Sequence, residues 1–122
     1  MPESYTLDVP RRLVACRAWG KFTSAELFEH YHLIAADPDF EPTFSQVGDL
    51  RDVEEFDMGS SAVEAAADLG VFSTTSRRAL VVAHDLQYGI ARMYATFSEL
   101  AGQNMKVFRD YDAALKWALY QT

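Results

Sequence analysis

The chain has 122 residues, enough for one domain that buries roughly two-thirds of its unfolded surface and too few for a second. A hydrophobic fraction of 49% beside 24% charged residues excludes a disordered chain. The net charge of −7 opposes nucleic acid, whose phosphates are held by Lys and Arg displacing counterions, and no basic run exceeds the pairs Arg11-Arg12 and Arg77-Arg78.

Residues Tyr5 to Val9 alternate in polarity, Pro10-Arg11-Arg12 supplies turn chemistry, and Leu13 to Trp19 alternates again with Leu13, Ala15, Arg17 and Trp19 on one face. This predicts a hairpin ended by Gly20. Thr23-Ser24-Ala25-Glu26 then matches the capping box, so a helix starts at Ser24. Its apolar stripe is Leu27, Phe28, Tyr31, Ile34 and Ala35, and Asp37-Pro38 stops it.

Phe44 to Leu50 reads as a polar strand weakened by Gly48, followed by an acidic loop from Asp49 to Asp57. Ser60 or Ser61 caps a second helix, Ser61 with Glu64 as a box, that runs through Val63, Ala66 and Leu69 to Gly70. Arg78 to Ala83 is nearly all apolar, as expected of a central strand covered on both faces. Asp85 is expected to cap a third helix whose inward face is Leu86, Ile90, Met93, Phe97 and Leu100, with Gly102 as its stop. Met105 to Arg109 forms the last strand, and Asp110 caps a last helix facing inward through Tyr111, Ala114, Leu115, Ala118 and Leu119.

The resulting order, ββαβαβαβα over residues 1–122, predicts a single α/β domain with a mostly parallel sheet, an antiparallel first strand and four helices. That order resembles the STAS domain, the fold of SpoIIAA-like anti-sigma-factor antagonists. Three stretches carry the resemblance more specifically: Asp49-Leu50-Arg51-Asp52-Val53, Tyr88-Gly89-Ile90-Ala91-Arg92-Met93-Tyr94, and Val107-Phe108-Arg109-Asp110 leading to Ala113-Ala114-Leu115-Lys116-Trp117. They are similar to an uncharacterised SpoIIAA-like subfamily. The resemblance implies a phosphoswitch where the antagonists carry Asp-Ser-Ser-Gly. Here the place reads Asp57-Met58-Gly59-Ser60-Ser61, so Asp57, Ser60 and Ser61 are the candidates, although Gly59 falls at the phosphorylated position and capping alone explains the serines.

No catalytic constellation is legible, and no metal site or cofactor is implied. His30 and His32 point to different faces of one helix and are expected on its solvated surface. His84 before Asp85 has no nucleophile to serve. The strand-end edge should gather Lys21, Arg51, Asp52, His84, Tyr88 and Arg109 around helix N-termini as a candidate anion site, unless Arg51 and Arg109 simply pair with neighbouring aspartates.

The lone Cys16 allows no internal disulfide, the acidic N-terminus is unlike a signal peptide, and no apolar run reaches the ~20 residues of a membrane span, which together predict a cytoplasmic protein. Two functions stay open. The first is a non-catalytic regulatory module that docks a partner protein through the second helix and the loop before it, with an exposed apolar patch near Met58 and Val63. The alternative is a binder of a lipid or small amphiphilic anion in a pocket of about 300 Å³ or more between the helices and the strand-end edge. A homodimer is expected only if aromatics on an edge helix remain exposed.

Overall fold

Alternation and turn chemistry build the expected hairpin. In the computed structural model, which describes residues 3–120, β1 (Glu3–Asp8) pairs antiparallel with β2 (Leu13–Thr23), Tyr5 lying opposite Cys16. The Asp8 carboxylate closes the turn by accepting from the Arg11 backbone N–H at 3.2 Å and from its Nε at 2.6 Å. The hairpin does not end at Gly20. That glycine sits at φ 63° inside β2, between register shifts that fall at Arg17/Trp19 and Gly20/Lys21. Such shifts are bulges, which bend a strand while letting it continue. β2 therefore stays paired with β3 (Ser45–Asp57) as far as Thr23 opposite Asp57. The acidic stretch 49–57, expected as a loop, is strand.

The capping box forms as predicted at α1 (Ser24–Ala36): Glu26 N–H donates to Thr23 Oγ1 at 3.3 Å and Thr23 N–H to Glu26 Oε1 at 2.9 Å. At α2 (Ser60–Ala67) it does not. Gly59 is the N-cap, without a side-chain bond, and Ser60 and Ser61 lie exposed in the first turn. Likewise α3 (Asp85–Leu100) is capped by His84 through its backbone alone, and Asp85 is already helical. Its end is as expected, with Gly102 at φ 83° letting Gly102 N–H reach Glu99 O at 3.0 Å and Gln103 N–H reach Ser98 O at 2.8 Å. After β4 (Arg77–Val81) and β5 (Asn104–Phe108), Asp110 caps α4 (Tyr111–Leu119) by accepting from Asp112 N–H at 3.1 Å.

The five strands lie in chain order, β1-β2-β3-β4-β5, parallel except for β1. β4 is thus flanked by β3 and the edge strand β5, and the centre of the sheet is β3. Right-handed crossovers between strands added in one direction put every connecting helix on the same side. Accordingly α1, α2 and α3 cover one face, burying Val14, Phe22, Leu27, Tyr31, Ile34, Val63, Leu80 and Ala91 together. The chain then returns across the other face, where Ala114 and Ala118 of α4 pack on Leu13, Val47, Ala79 and Val81. Because the strand order never reverses, the sheet lacks the switch-point crevice that makes strand ends ligand sites in doubly wound folds.

The inward face of α3 also differs from expectation. Gln87, Ala91, Tyr94, Ala95 and Ser98 are buried, whereas Leu86 is 59% and Leu100 80% exposed. The reason lies in the sheet. β3 stays hydrogen-bonded to β4 only as far as Asp49 opposite Val81. Beyond it the two strands part, and the Gln87 side chain fills the gap. Its Nε2 donates to Val53 O at 2.8 Å and Arg51 O at 3.0 Å, while its Oε1 accepts from Ala83 N–H at 2.7 Å. Turning Gln87 inward rotates Leu86 outward.

Candidate functional site

The strand-end residues do not converge. Lys21 stands between Glu55 at 3.8 Å and Asp57 at 3.7 Å; Arg51 makes two bonds of 2.9 Å to Asp49; Asp52 pairs with Arg17 at 2.9 Å. Arg109 pairs with Asp85 at 2.9 Å and lies 5.0 Å over the Tyr88 ring. The side chain of His84 is exposed, and its carbonyl accepts from Tyr88 N–H at 2.9 Å. Both arginines are thus occupied by carboxylates, Arg109 by Asp85 rather than Asp110. Burial raises the Asp49 carboxyl, but the bonds and charge of Arg51 outweigh it and hold its pKa below the ordinary value. The four charged residues of the six form separate ion pairs, Tyr88 lies under Arg109, and the His84 side chain faces solvent.

At the head of α2, Asp57 ends β3 beside Lys21, and the Ser60 and Ser61 hydroxyls face solvent in the first helical turn. Phosphate is electrostatically favoured at such a place. The apolar patch expected there is not exposed at Val63, which is 0% exposed.

A different cluster stands out by its chemistry. Arg78, at the start of β4, is 3% exposed, and no carboxylate pairs with it among the described residues. Its guanidinium donates instead to neutral acceptors: Nε to Gln46 Oε1 at 2.9 Å, Nη1 to Gln103 Oε1, and Nη2 to the hydroxyls of Tyr31 at 2.8 Å and Tyr94 at 3.5 Å. The Phe72 ring lies 4.6 Å from its Cζ. Burial opposes the charge, yet the Tyr31 and Tyr94 oxygens outweigh it, so Arg78 stays cationic. Burial likewise raises Tyr94 well above the usual phenol value, keeping that hydroxyl protonated.

The two phenols then have one proton too many. Both oxygens accept from Arg78, and they stand 2.9 Å apart, so one hydroxyl donates to the other. Among the described residues the second proton has no acceptor. Both residues line an almost wholly apolar pocket of about 50 Å³, together with Cys16, Leu27, His30 and Gln46 on its inner walls. Its half-buried members, Leu50, Phe56, Met58 and Ile90, mark where it opens to solvent. Gly48 forms part of the floor, and a Cβ there would approach Leu80 Cδ2 to 3.0 Å.

Two polar groups in the wall are chemically quiet. Burial raises the Cys16 thiol to about 12, so it is protonated at neutral pH and a poor nucleophile. His30, expected on the solvated surface, is buried edge-on between Tyr5 and Tyr31 at centroid distances of 6.0 and 5.5 Å, and burial lowers its pKa to about 4. His32 is exposed, as expected. Among the described residues no group of three or more His, Cys, Asp or Glu side chains could hold a metal, and no helix is long and apolar enough to cross a membrane.

The sequence did carry one sign of this cluster: an arginine opening an otherwise apolar strand, with Tyr31 on the inward stripe of α1, while nothing in the periodicity of α3 marks Tyr94. No protein-family model matches the chain, and no curated protein does. Among solved structures, it is similar to an uncharacterized protein from the DUF3478 family with a SpoIIAA-like fold from Shewanella loihica PV-4. The TM-score is 0.63 at 20% identity, covering 95% of this chain and 93% of that one. The chain has the SpoIIAA-like fold that its element order predicts.

Proposed function

We propose that this domain is a non-catalytic binding module whose ligand is a small amphiphilic anion, a short aliphatic carboxylate, held in the pocket above Arg78. What supports the reading is a phenolic proton for which the described residues offer no acceptor, on tyrosines that line an apolar pocket and stand against a cation with no carboxylate partner among the described residues. A carboxylate oxygen would take that proton as a charge-assisted hydrogen bond, roughly twice as strong as a neutral one. With Arg78 about 6 Å behind it, an effective dielectric of about 20 gives on the order of 3 kcal/mol of further attraction. The net charge of −7 works the other way, but surface charges are screened beyond about 8 Å at physiological salt.

Volume limits the ligand. About 50 Å³ admits roughly three to five water-sized groups, far below the ~300 Å³ of an ordinary ligand pocket. Propionate, with five heavy atoms, fits within it, and the sixth heavy atom of butyrate lies at the open end by Leu50 and Met58; a full lipid chain does not fit. Ligands of this size bind in the millimolar range or somewhat tighter.

Calorimetry with butyrate against its neutral isostere butyramide tests the reading. Butyrate is expected to bind at least tenfold tighter, and the double variant Tyr31→Phe, Tyr94→Phe to remove most of that preference, because either single variant leaves one hydroxyl with a proton to give. Equal binding of the two, or a preference that survives in the double variant, would leave the reading without support.

A further inference from the structure

Beyond Asp49, the side of β3 that faces away from β2 carries no strand, while the paired β2 edge continues to Thr23. Gln87 satisfies the carbonyls of Arg51 and Val53 on that side, and no backbone hydrogen bond outside the β2–β3 ribbon is made by Glu54–Asp57 among the described residues. A bare strand edge is a template for another strand. We propose that Glu54–Asp57 is the docking edge for an extended basic segment of a partner protein, which adds as a strand beside β3. This site is separate from the carboxylate pocket, although both lie near Phe56.

Charge selects the partner. Glu54, Glu55 and Asp57 are exposed, and Lys21 is a loose partner of Glu55 and Asp57 alone, at 3.8 and 3.7 Å. A second copy of the chain would bring the same carboxylates and be repelled, whereas Lys and Arg side chains would be attracted. Alternate residues of an added strand point to opposite faces. One set meets Glu55 and Asp57, which share a face with Lys21. The other turns towards α3, where Gln87 holds the first helical turn against β3 and Leu86, 59% exposed, stands one turn before the half-buried Ile90. The partner segment therefore alternates basic with aliphatic residues.

Fluorescence anisotropy with a labelled seven-residue peptide of alternating lysine and valine tests this, with amide hydrogen exchange on the same complex. The peptide is expected to bind with an affinity that falls as salt rises. Exchange should slow at Glu54–Asp57, and the double variant Glu54→Lys, Glu55→Lys, both exposed, should weaken binding at least tenfold. Methylating alternate peptide amides should abolish binding in one of the two registers, because main-chain bonds would be lost. Binding that tolerates methylation in both registers, protection at another edge, or no binding at all would overturn the proposal. Sedimentation showing self-association through this edge would do the same. Because butyrate binding does not depend on Glu54 or Glu55, its failure in calorimetry is distinguishable from failure here.

Discussion

Replacing Gln87 with methionine nearly conserves volume while removing the amide that bridges β3 and the β4–α3 junction. Three backbone groups lose a partner: Val53 O, Arg51 O and Ala83 N–H. The Val53 bond is buried and the other two are part-buried. A buried orphan costs about 1–3 kcal/mol, and a bond whose groups can turn to water about 0.5–1.5 kcal/mol each. After about 1 kcal/mol is returned by the methionine's added apolar contact, the expected loss is roughly 1–5 kcal/mol, against the ~5–15 kcal/mol that holds a domain together. Urea unfolding measures it, with an unchanged slope expected and only the midpoint lowered. Amide exchange at Ala83 should quicken in step. A loss below about 1 kcal/mol with Ala83 still protected would refute the idea that this side chain stands in for the missing strand.

Other outcomes follow from the same geometry. His30 has a folded-state pKa of about 4, below its ordinary 6.5, so the unfolded chain binds more protons between those values. Stability from this residue is complete above about pH 6.5 and declines as pH falls towards 4, by on the order of 3 kcal/mol. His30→Phe should flatten that part of a stability-against-pH curve, and an unchanged curve would contradict the assignment. Gly48→Ala pushes a methyl to 3.0 Å from Leu80 Cδ2 and into the pocket floor. Overpacking of this kind costs about 1–3 kcal/mol, so a thermal melt should show a lower midpoint and calorimetry weaker butyrate binding. Ser60→Asp adds a carboxylate to the first turn of α2, where the helix dipole favours it by about 0.3–1 kcal/mol, a gain that chemical denaturation would register.

Local rules located the elements, and tertiary demands changed their edges and faces. The capping box at Thr23, the stop at Gly102 and the cap at Asp110 depend on residues a few positions apart, and all three form as read. Gly20 and the stretch 49–57 were misread because a bulge lets a strand run through a left-handed glycine and because carboxylates on a two-stranded ribbon can face water. The inward face of α3 was misread for a longer-range reason. Its polar members, Gln87, Tyr94 and Ser98, are buried by partners in β3, β4, α1 and β5 that no local periodicity reveals.

The same holds for the site. The residues singled out along the strand ends are real edge residues, but each charged one found a nearby ionic partner, as abundant aspartates on the surface allow. The cluster that lacks one is internal. Tyr31, Arg78 and Tyr94 come from three elements, and the meaning of each depends on the other two: an arginine with no carboxylate, and two hydroxyls with one proton to give. The burial of His30 is not legible in its own helix, because the ring that covers it, Tyr5, comes from β1.

Methyl-resolved NMR during a butyrate titration examines the pocket at the level of atoms. Saturable shifts confined to the methyl groups that line the pocket, Leu27, Leu50, Met58, Leu80 and Ile90, and missing in the double variant Tyr31→Phe, Tyr94→Phe, are the predicted result. Shifts that gather instead around the surface arginines Arg17, Arg51 or Arg109, or no saturable shift up to tens of millimolar butyrate (the weak end for so small a ligand, at roughly 0.3–1.5 kcal/mol per heavy atom), would contradict it.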